Sequence, residues 1–171
     1  MSWGKPVKLH ELARGPVRLT LEPNEAERTA VAKQLGLRSL PAFTARVTVK
    51  PWLDGAELTG RFDAVVEQVC GVSLENFEQP LEGDIDLRLV PAGSAHAATP
   101  EPGEVELDSE APDAPDVLET DTIDVTAYVV EHLALEIDPF PRKPGATFDY
   151  QPPEEETSPF AALKKLTEPK P

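Results

Sequence analysis

Cysteine occurs once in this 171-residue chain, at Cys70, and that scarcity removes several chemistries at the outset. An internal disulfide, a CxxC pair and a cysteine-built zinc site each need more than one thiol. A lone cysteine in a half-buried strand is ordinarily a structural residue. Aromatic residues make up only 6% of the chain. No stretch approaches the roughly 18 consecutive apolar residues of a membrane span. The opening Met1-Ser2-Trp3-Gly4-Lys5-Pro6 lacks the apolar run of a signal peptide, so the cytoplasm is the expected compartment. The glycines are scattered at turns, which leaves no glycine-rich phosphate loop, and neither GxSxG nor HExxH is present. His10, His96 and His132 fall at no metal-ligand spacing to one another or to Cys70. Neither a metal nor a cofactor is expected.

What the chain does have is proline, 19 residues of it, and a formal charge of −15 that is unevenly distributed. Residues 1–50 hold nine Lys or Arg against four Glu, whereas Leu89 to Pro141 holds thirteen Asp or Glu and no Lys or Arg. Surfaces answer to local charge, so a mildly basic N-terminal third and an acidic remainder call for separate readings.

The hydropathy pattern predicts one α+β core. Val17, Leu19 and Leu21 alternate with polar residues as a half-buried strand does. Asn24 and Glu27 have the spacing of a capping box opening a helix over 24–36, which Gly36 ends. Alternation over 43–53, 56–69 and 77–90 predicts an antiparallel meander, with Asp54-Gly55 as a tight hairpin turn. Residues 91–121 are proline-rich and acidic with few apolar side chains, and read as a solvated, disordered loop. Asp124 then caps a helix over 124–137 with Val125, Tyr128, Val129, His132, Leu133 and Ile137 at helical spacing. The architecture expected is a twisted antiparallel sheet, or a partly closed barrel, with two packed helices. The chain divides into 1–90, a strand-helix-meander part; 91–121, the acidic loop; 122–150, a helix and proline-rich segment completing the same core; and 151–171, a tail. In that tail Ser158-Pro159 opens a short amphipathic helix whose Phe160, Leu163 and Leu166 would form a docking face.

Candidate binding residues follow from charge and strand parity. Arg14, Arg18, Arg28, Lys33, Arg38, Arg46 and Lys50 all lie in the first third. Arg46 and Lys50 share the outward side of one strand, with Trp52 beside them as a stacking residue for a nucleobase. The alternative is ordinary surface charge balancing the acidic part. Arg142 and Lys143 add two cations in the proline-rich segment. A nucleophilic Cys70 with His132 would join residues distant in sequence with nothing beside them to activate either, so the reading is non-enzymatic. The acidic stretch is either an inert linker or a nucleic-acid mimic that competes for a basic partner.

Val69-Cys70-Gly71-Val72-Ser73-Leu74-Glu75-Asn76-Phe77, followed by an acidic strand, resembles the cysteine-containing signature of the YceD family, the large ribosomal RNA subunit accumulation proteins. The helix from Asp124 leading into Asp138-Pro139-Phe140-Pro141-Arg142-Lys143-Pro144-Gly145 resembles a later family motif. Ser158 to Leu166 resembles another. The likeness runs from about Val17 onward, excluding the acidic loop, and places Cys70, Leu74, Phe77, Pro139 and Pro141 in signature positions. Many members carry Cys-x-x-Cys in the central motif and further cysteines after the helix. Here Ser73 stands at the second position and the later segment has none, so no metal site carries over. The chain resembles the cysteine-poor, alphaproteobacterial-type members. The resemblance implies a bacterial factor in synthesis, processing or accumulation of 23S ribosomal RNA and in large-subunit assembly, with no known reaction. The expected partner is ribosomal RNA or a pre-ribosomal particle bound by a monomer through Arg14, Arg18, Arg46, Lys50, Trp52, Arg142 and Lys143. The alternative is an acidic chaperone for a basic ribosomal protein.

Overall fold

The computed structural model describes residues 3, 6–97, 113–148 and 150. The acidic stretch 98–112 and the tail helix with Phe160, Leu163 and Leu166 lie outside them. The α+β expectation holds. In chain order the elements are β1 (Val7–Lys8), a 3₁₀ helix (Leu9–Arg14), β2 (Val17–Leu21), α1 (Glu25–Gln34), β3 (Ser39–Trp52), β4 (Gly55–Val69), β5 (Asn76–Pro91), β6 (Asp116–Leu118), β7 (Thr122–Ile123) and α2 (Val125–Glu136).

The main sheet has the order β2-β3-β4-β5-β6 and is open, with β2 and β6 at its edges. Of the two architectures anticipated it is therefore the sheet, not the barrel. The first three pairings are antiparallel; β3, β4 and β5 follow one another as hairpins, while α1 joins β2 to β3. β6 pairs parallel to the end of β5, matching Leu89 with Asp116 and Pro91 with Leu118. A separate two-stranded pairing sets Val7 opposite Ile123.

Alternation decides which face is covered. Phe43, Ala45, Val47 and Val49 of β3, Leu58, Phe62, Ala64 and Val66 of β4, and Ile85 and Leu89 of β5 are buried on one side. Val31 and Ala32 of α1, Leu12 of the 3₁₀ helix, and Val125, Val129, Val130 and Leu133 of α2 join them in a single core. Trp3 meets Phe43 edge-on at 6.0 Å between ring centroids, and Phe43 meets Phe62 likewise at 6.3 Å, geometry that aromatic quadrupoles favour. The intervening residues, among them Arg18, Arg46, Arg61 and Asp84, lie on the opposite, outer face.

Both helix starts follow the sequence signals. Asn24 Oδ1 accepts from the Glu27 N–H at 3.1 Å while Glu27 Oε2 accepts from the Asn24 N–H at 2.8 Å, and Asp124 Oδ1 accepts from the Ala127 N–H. α1 ends in a Schellman motif: Gly36 takes φ +69°, and the Leu37 N–H donates to the Ala32 carbonyl at 2.9 Å.

Two expectations change. The β3–β4 turn comes one residue earlier than Asp54-Gly55: Trp52 pairs with Gly55, so Leu53 and Asp54 form the loop and Leu53 adopts φ +51°. Gly55 belongs to β4 because a Cβ there would collide with the Leu89 carbonyl. The stretch read as a loop from 91 to 121 begins inside β5 and closes with β6, where Leu118 is buried at the edge of β5. Within 1–90, the residues before Val17 join the core through Val7 and Leu12, both buried.

Candidate functional site

On the outer face, pairing across β2, β3, β4 and β5 lines up rows of charge. Thr20 lies opposite Arg46, Arg46 opposite Arg61 and Arg61 opposite Asp84; two rows along the same face, Lys50 lies opposite Glu57 and Glu57 opposite Arg88. The cations of this face divide into two kinds. Lys50 is ion-paired to Glu57, with Arg88 Nε 3.6 Å from the same carboxylate, and Arg61 meets Glu82 at 3.0 Å. The Lys50 hydrogen bond is the largest cause holding the Glu57 carboxyl below its usual range. Arg18 and Arg46 are exposed and have no carboxylate partner among the described residues.

Trp52 is on this face as its parity requires, but the Arg88 guanidinium lies over its ring at 5.2 Å, a cation–π contact. Arg14 is exposed in the last turn of the 3₁₀ helix, ahead of β2. The structure thus brings Arg18, Arg46, Lys50 and Trp52 to one face, with Lys50 and Trp52 already engaged. Arg142 and Lys143 sit elsewhere, at the far end of the sheet.

That far end is where the signature residues meet. Cys70 directly follows β4 and is fully buried. The turn after it is closed by the Leu74 N–H donating to the Cys70 carbonyl and the Cys70 N–H donating to the Glu75 carbonyl, both at 2.9 Å. Leu74 takes φ +59° and is 77% exposed. The segment following α2 is fastened to this turn in four ways: the Gly71 N–H donates to the Pro141 carbonyl at 2.9 Å, Gln68 Nε2 donates to the Asp138 carbonyl at 3.1 Å, the Lys143 N–H points to Cys70 Sγ at 3.3 Å, and Lys143 Nζ bonds Glu75 at 2.9 Å. Lys143 holds the Glu75 carboxyl below its usual range.

Cys70 Sγ therefore faces several donors: the Ser73 N–H at 3.3 Å, the Val72 N–H at 3.4 Å and the Lys143 N–H. Hydrogen bonds from Ser73, through its side chain and then its backbone, and from Lys143 lower the thiol to about 6, overcoming the burial that pushes it up. The sulfur binds two chain segments together by accepting hydrogen bonds. His132 is half-buried with Nδ1 2.9 Å from the Tyr128 carbonyl one turn back. Phe77 is half-buried, Pro139 is exposed and Pro141 half-buried. The sequence reading passed over Gln68. Its signal was a polar residue at an inward position of an alternating strand, between Val66 and Cys70.

A model of the large ribosomal RNA subunit accumulation proteins matches residues 58–167. The match takes in β4 from Leu58, the Cys70 turn, β5, α2 and the segment after it; it begins beyond β2, α1 and β3, which the resemblance was expected to include, and its span covers the acidic stretch, which the resemblance was expected to exclude. Comparison with curated proteins and with solved structures found no match. With that match spanning most of the chain, and with its two signature segments hydrogen-bonded to one another at the end of the sheet, the chain belongs to the YceD family of large ribosomal RNA subunit accumulation proteins.

Proposed function

We propose that the chain acts in large-subunit ribosomal RNA accumulation as a non-enzymatic factor that contacts RNA or a pre-ribosomal particle through the outer face of β2 and β3. The observation that carries this reading is the contrast among the cations of that face. Lys50, Arg61 and Arg88 are neutralised by Glu57 and Glu82, whereas Arg18 and Arg46 stand exposed on adjacent strands without an ionic partner among the described residues. Phosphate contacts need such uncommitted guanidinium groups, which can bond a phosphate bidentately. Arg14 is exposed in the turn that leads into β2. In-cell crosslinking should recover large-subunit ribosomal RNA with the wild-type chain, and Arg18→Glu/Arg46→Glu should reduce recovery at least tenfold. Undiminished recovery would remove this face from the account.

A second reading, an acidic chaperone for a basic ribosomal protein, is favoured by one feature. Asp86, Asp113 and Asp116 line a cleft of about 450 Å³ between β5, the approach to β6 and α2, which Arg88 and His132 also border; its acidic side chains outnumber the basic ones where a Lys or Arg side chain could be received. Salt-sensitive binding of a basic ribosomal protein, weakened by Asp113→Asn/Asp116→Asn, together with no binding of RNA, would replace the first reading with this one.

A further inference from the structure

β5 is paired to β4 over nearly its whole length, but on its other side it meets β6 only at residues 89–91. Two hydrogen bonds fix where its remaining backbone groups point. The Cys70 N–H donates to the Glu75 carbonyl, which continues the β4–β5 ladder by one hydrogen-bonded pair, and at the other end the Ala92 N–H donates to the Leu118 carbonyl, away from β4. Hydrogen-bonded pairs alternate along an antiparallel ladder, so the odd-numbered residues of β5 bond β4 and the even-numbered ones turn their N–H and C=O groups to the open border. Over residues 76–84 those groups have no backbone partner among the described residues. Farther along, Asp113 and Ala114 share a cleft with Asp86 and Arg88, and the open run ends there.

The same even-numbered residues carry their side chains on the outer face. Glu78, Pro80, Glu82 and Asp84 follow one another along the border, all exposed. Pro80 has no N–H to offer, and proline within a sheet is confined to such positions. One strand in, Glu67 lies opposite Glu78 and Asp63 opposite Glu82. Arg61, opposite Asp84, is their cationic neighbour and is ion-paired to Glu82 at 3.0 Å. The border therefore stays acidic after that pair is counted. On the inner side the intervening Phe77 and Leu81 are only half-buried.

These features select an occupant. The phosphates of a nucleic acid are repelled. A second copy would set one row of carboxylates against another, which destabilises a strand pair. The chain's own tail has Lys164 beside Lys165, and a strand would send adjacent residues to opposite faces. An incoming strand with Lys or Arg at alternate positions meets every requirement: its cations lie along the acidic row, its other side chains cover Phe77 and Leu81, and its backbone completes the open N–H and C=O groups. Charge and proline guard an edge against its own kind, but carboxylates attract a basic segment. β6 already adds to this border at residues 89–91.

We propose that the open border of β5 receives, as an added strand, an extended segment of a protein partner in which basic residues alternate with apolar ones. The proposal is separate from the RNA reading, whose arginines lie on β2 and β3, and from the cleft at Asp113 and Asp116.

The test measures amide hydrogen exchange and backbone resonances of the full chain with a short peptide alternating Lys and Val, with the same peptide N-methylated at every backbone amide, and with a short single-stranded RNA. The alternating peptide should slow exchange at the Glu78, Glu82 and Asp84 amides about tenfold, whereas the N-methylated peptide, equally charged but without donors, should not. Glu78→Gln/Asp84→Asn should weaken peptide binding about tenfold, with the amides of β3 unchanged as a report of the intact fold. Equal slowing by the N-methylated peptide overturns strand addition in favour of charge alone, and no slowing by either peptide overturns the proposal outright. Peptide shifts confined to Asp113 and Asp116 overturn it in favour of the cleft, and slowing by RNA overturns it in favour of nucleic acid. Slow exchange at these amides in the free chain overturns it by giving the border to a second copy or to the chain's own tail. RNA shifts at Arg18 and Arg46 are read separately, so either site can fail while the other stands.

Discussion

Gly83 shows how a single position can be dictated from across a strand pair. It lies opposite Phe62 in the β4–β5 register, and a Cβ there would come within 2.6 Å of the Phe62 ring and 3.2 Å of Glu136. Phe62 is fully buried and packed edge-on against Phe43, so the ring has nowhere to retreat. Gly83→Ala should therefore destabilise the fold by about 1–3 kcal/mol in denaturant unfolding, the range for overpacking a core. A change under a few tenths would show that the ring is free to move. Cys70 makes a prediction of opposite character, since its environment acts on charge. The folded-state thiol is lowered to about 6 from an ordinary value of 9.0, so the stability it contributes is fully present above the upper value and is lost as pH falls through the lower one. The stability difference between wild type and Cys70→Ala should accordingly widen as pH is raised from about 6 to about 9. A difference constant over that window would contradict the thiolate account. Neither environment was legible in the sequence, because the partners that matter, Phe62 for Gly83 and Lys143 for Cys70, come from another strand and from a segment beyond α2.

The elements whose causes are local were readable, and those made by distant contacts were not. Asn24 and Glu27 announce α1 by spacing alone, and both reciprocal hydrogen bonds form. Asn24→Ala should cost about 1 kcal/mol in thermal or chemical unfolding, the usual value for a lost N-cap. α2 is different in kind, because its stability comes from the face it buries. Leu133 is fully buried in the core shared with β4 and β5, and Leu133→Ala should cost about 2–5 kcal/mol. A small loss at Leu133 would mean that α2 is not seated on the sheet as described. By contrast β1, β6 and β7 are two or three residues long and owe their existence to partners far along the chain, Val7 to Ile123 and Leu118 to Pro91. No periodicity can be seen in so few residues. The turn at Leu53 and Asp54 was misplaced by one position because Gly55 looks like a turn residue, when its actual constraint is the close approach of β5.

At the scale of the whole molecule, a net charge of −15 argues against RNA only while charge is treated as a sum. The fold separates it, placing Arg18 and Arg46 on one open face while Glu57 of β4 and Glu82 of β5 neutralise the other cations there. Binding that depends on two or three exposed cations on a strongly acidic protein must be weak and sensitive to ionic strength. The signature residues, which the sequence singled out as a motif, fulfil a different need: they fasten the segment after α2 to the end of β4. The charge asymmetry was legible as composition, but the distinction between committed and uncommitted cations was not, since it depends on which strand each carboxylate faces. The most direct measurement is cosedimentation of the full-length chain with large-subunit precursor particles at low and at high salt. The account predicts that wild type pellets with the particles at low salt, is released at high salt, and stays in the supernatant at both when Arg18→Glu/Arg46→Glu is introduced; cosedimentation of that variant at the wild-type level would contradict it.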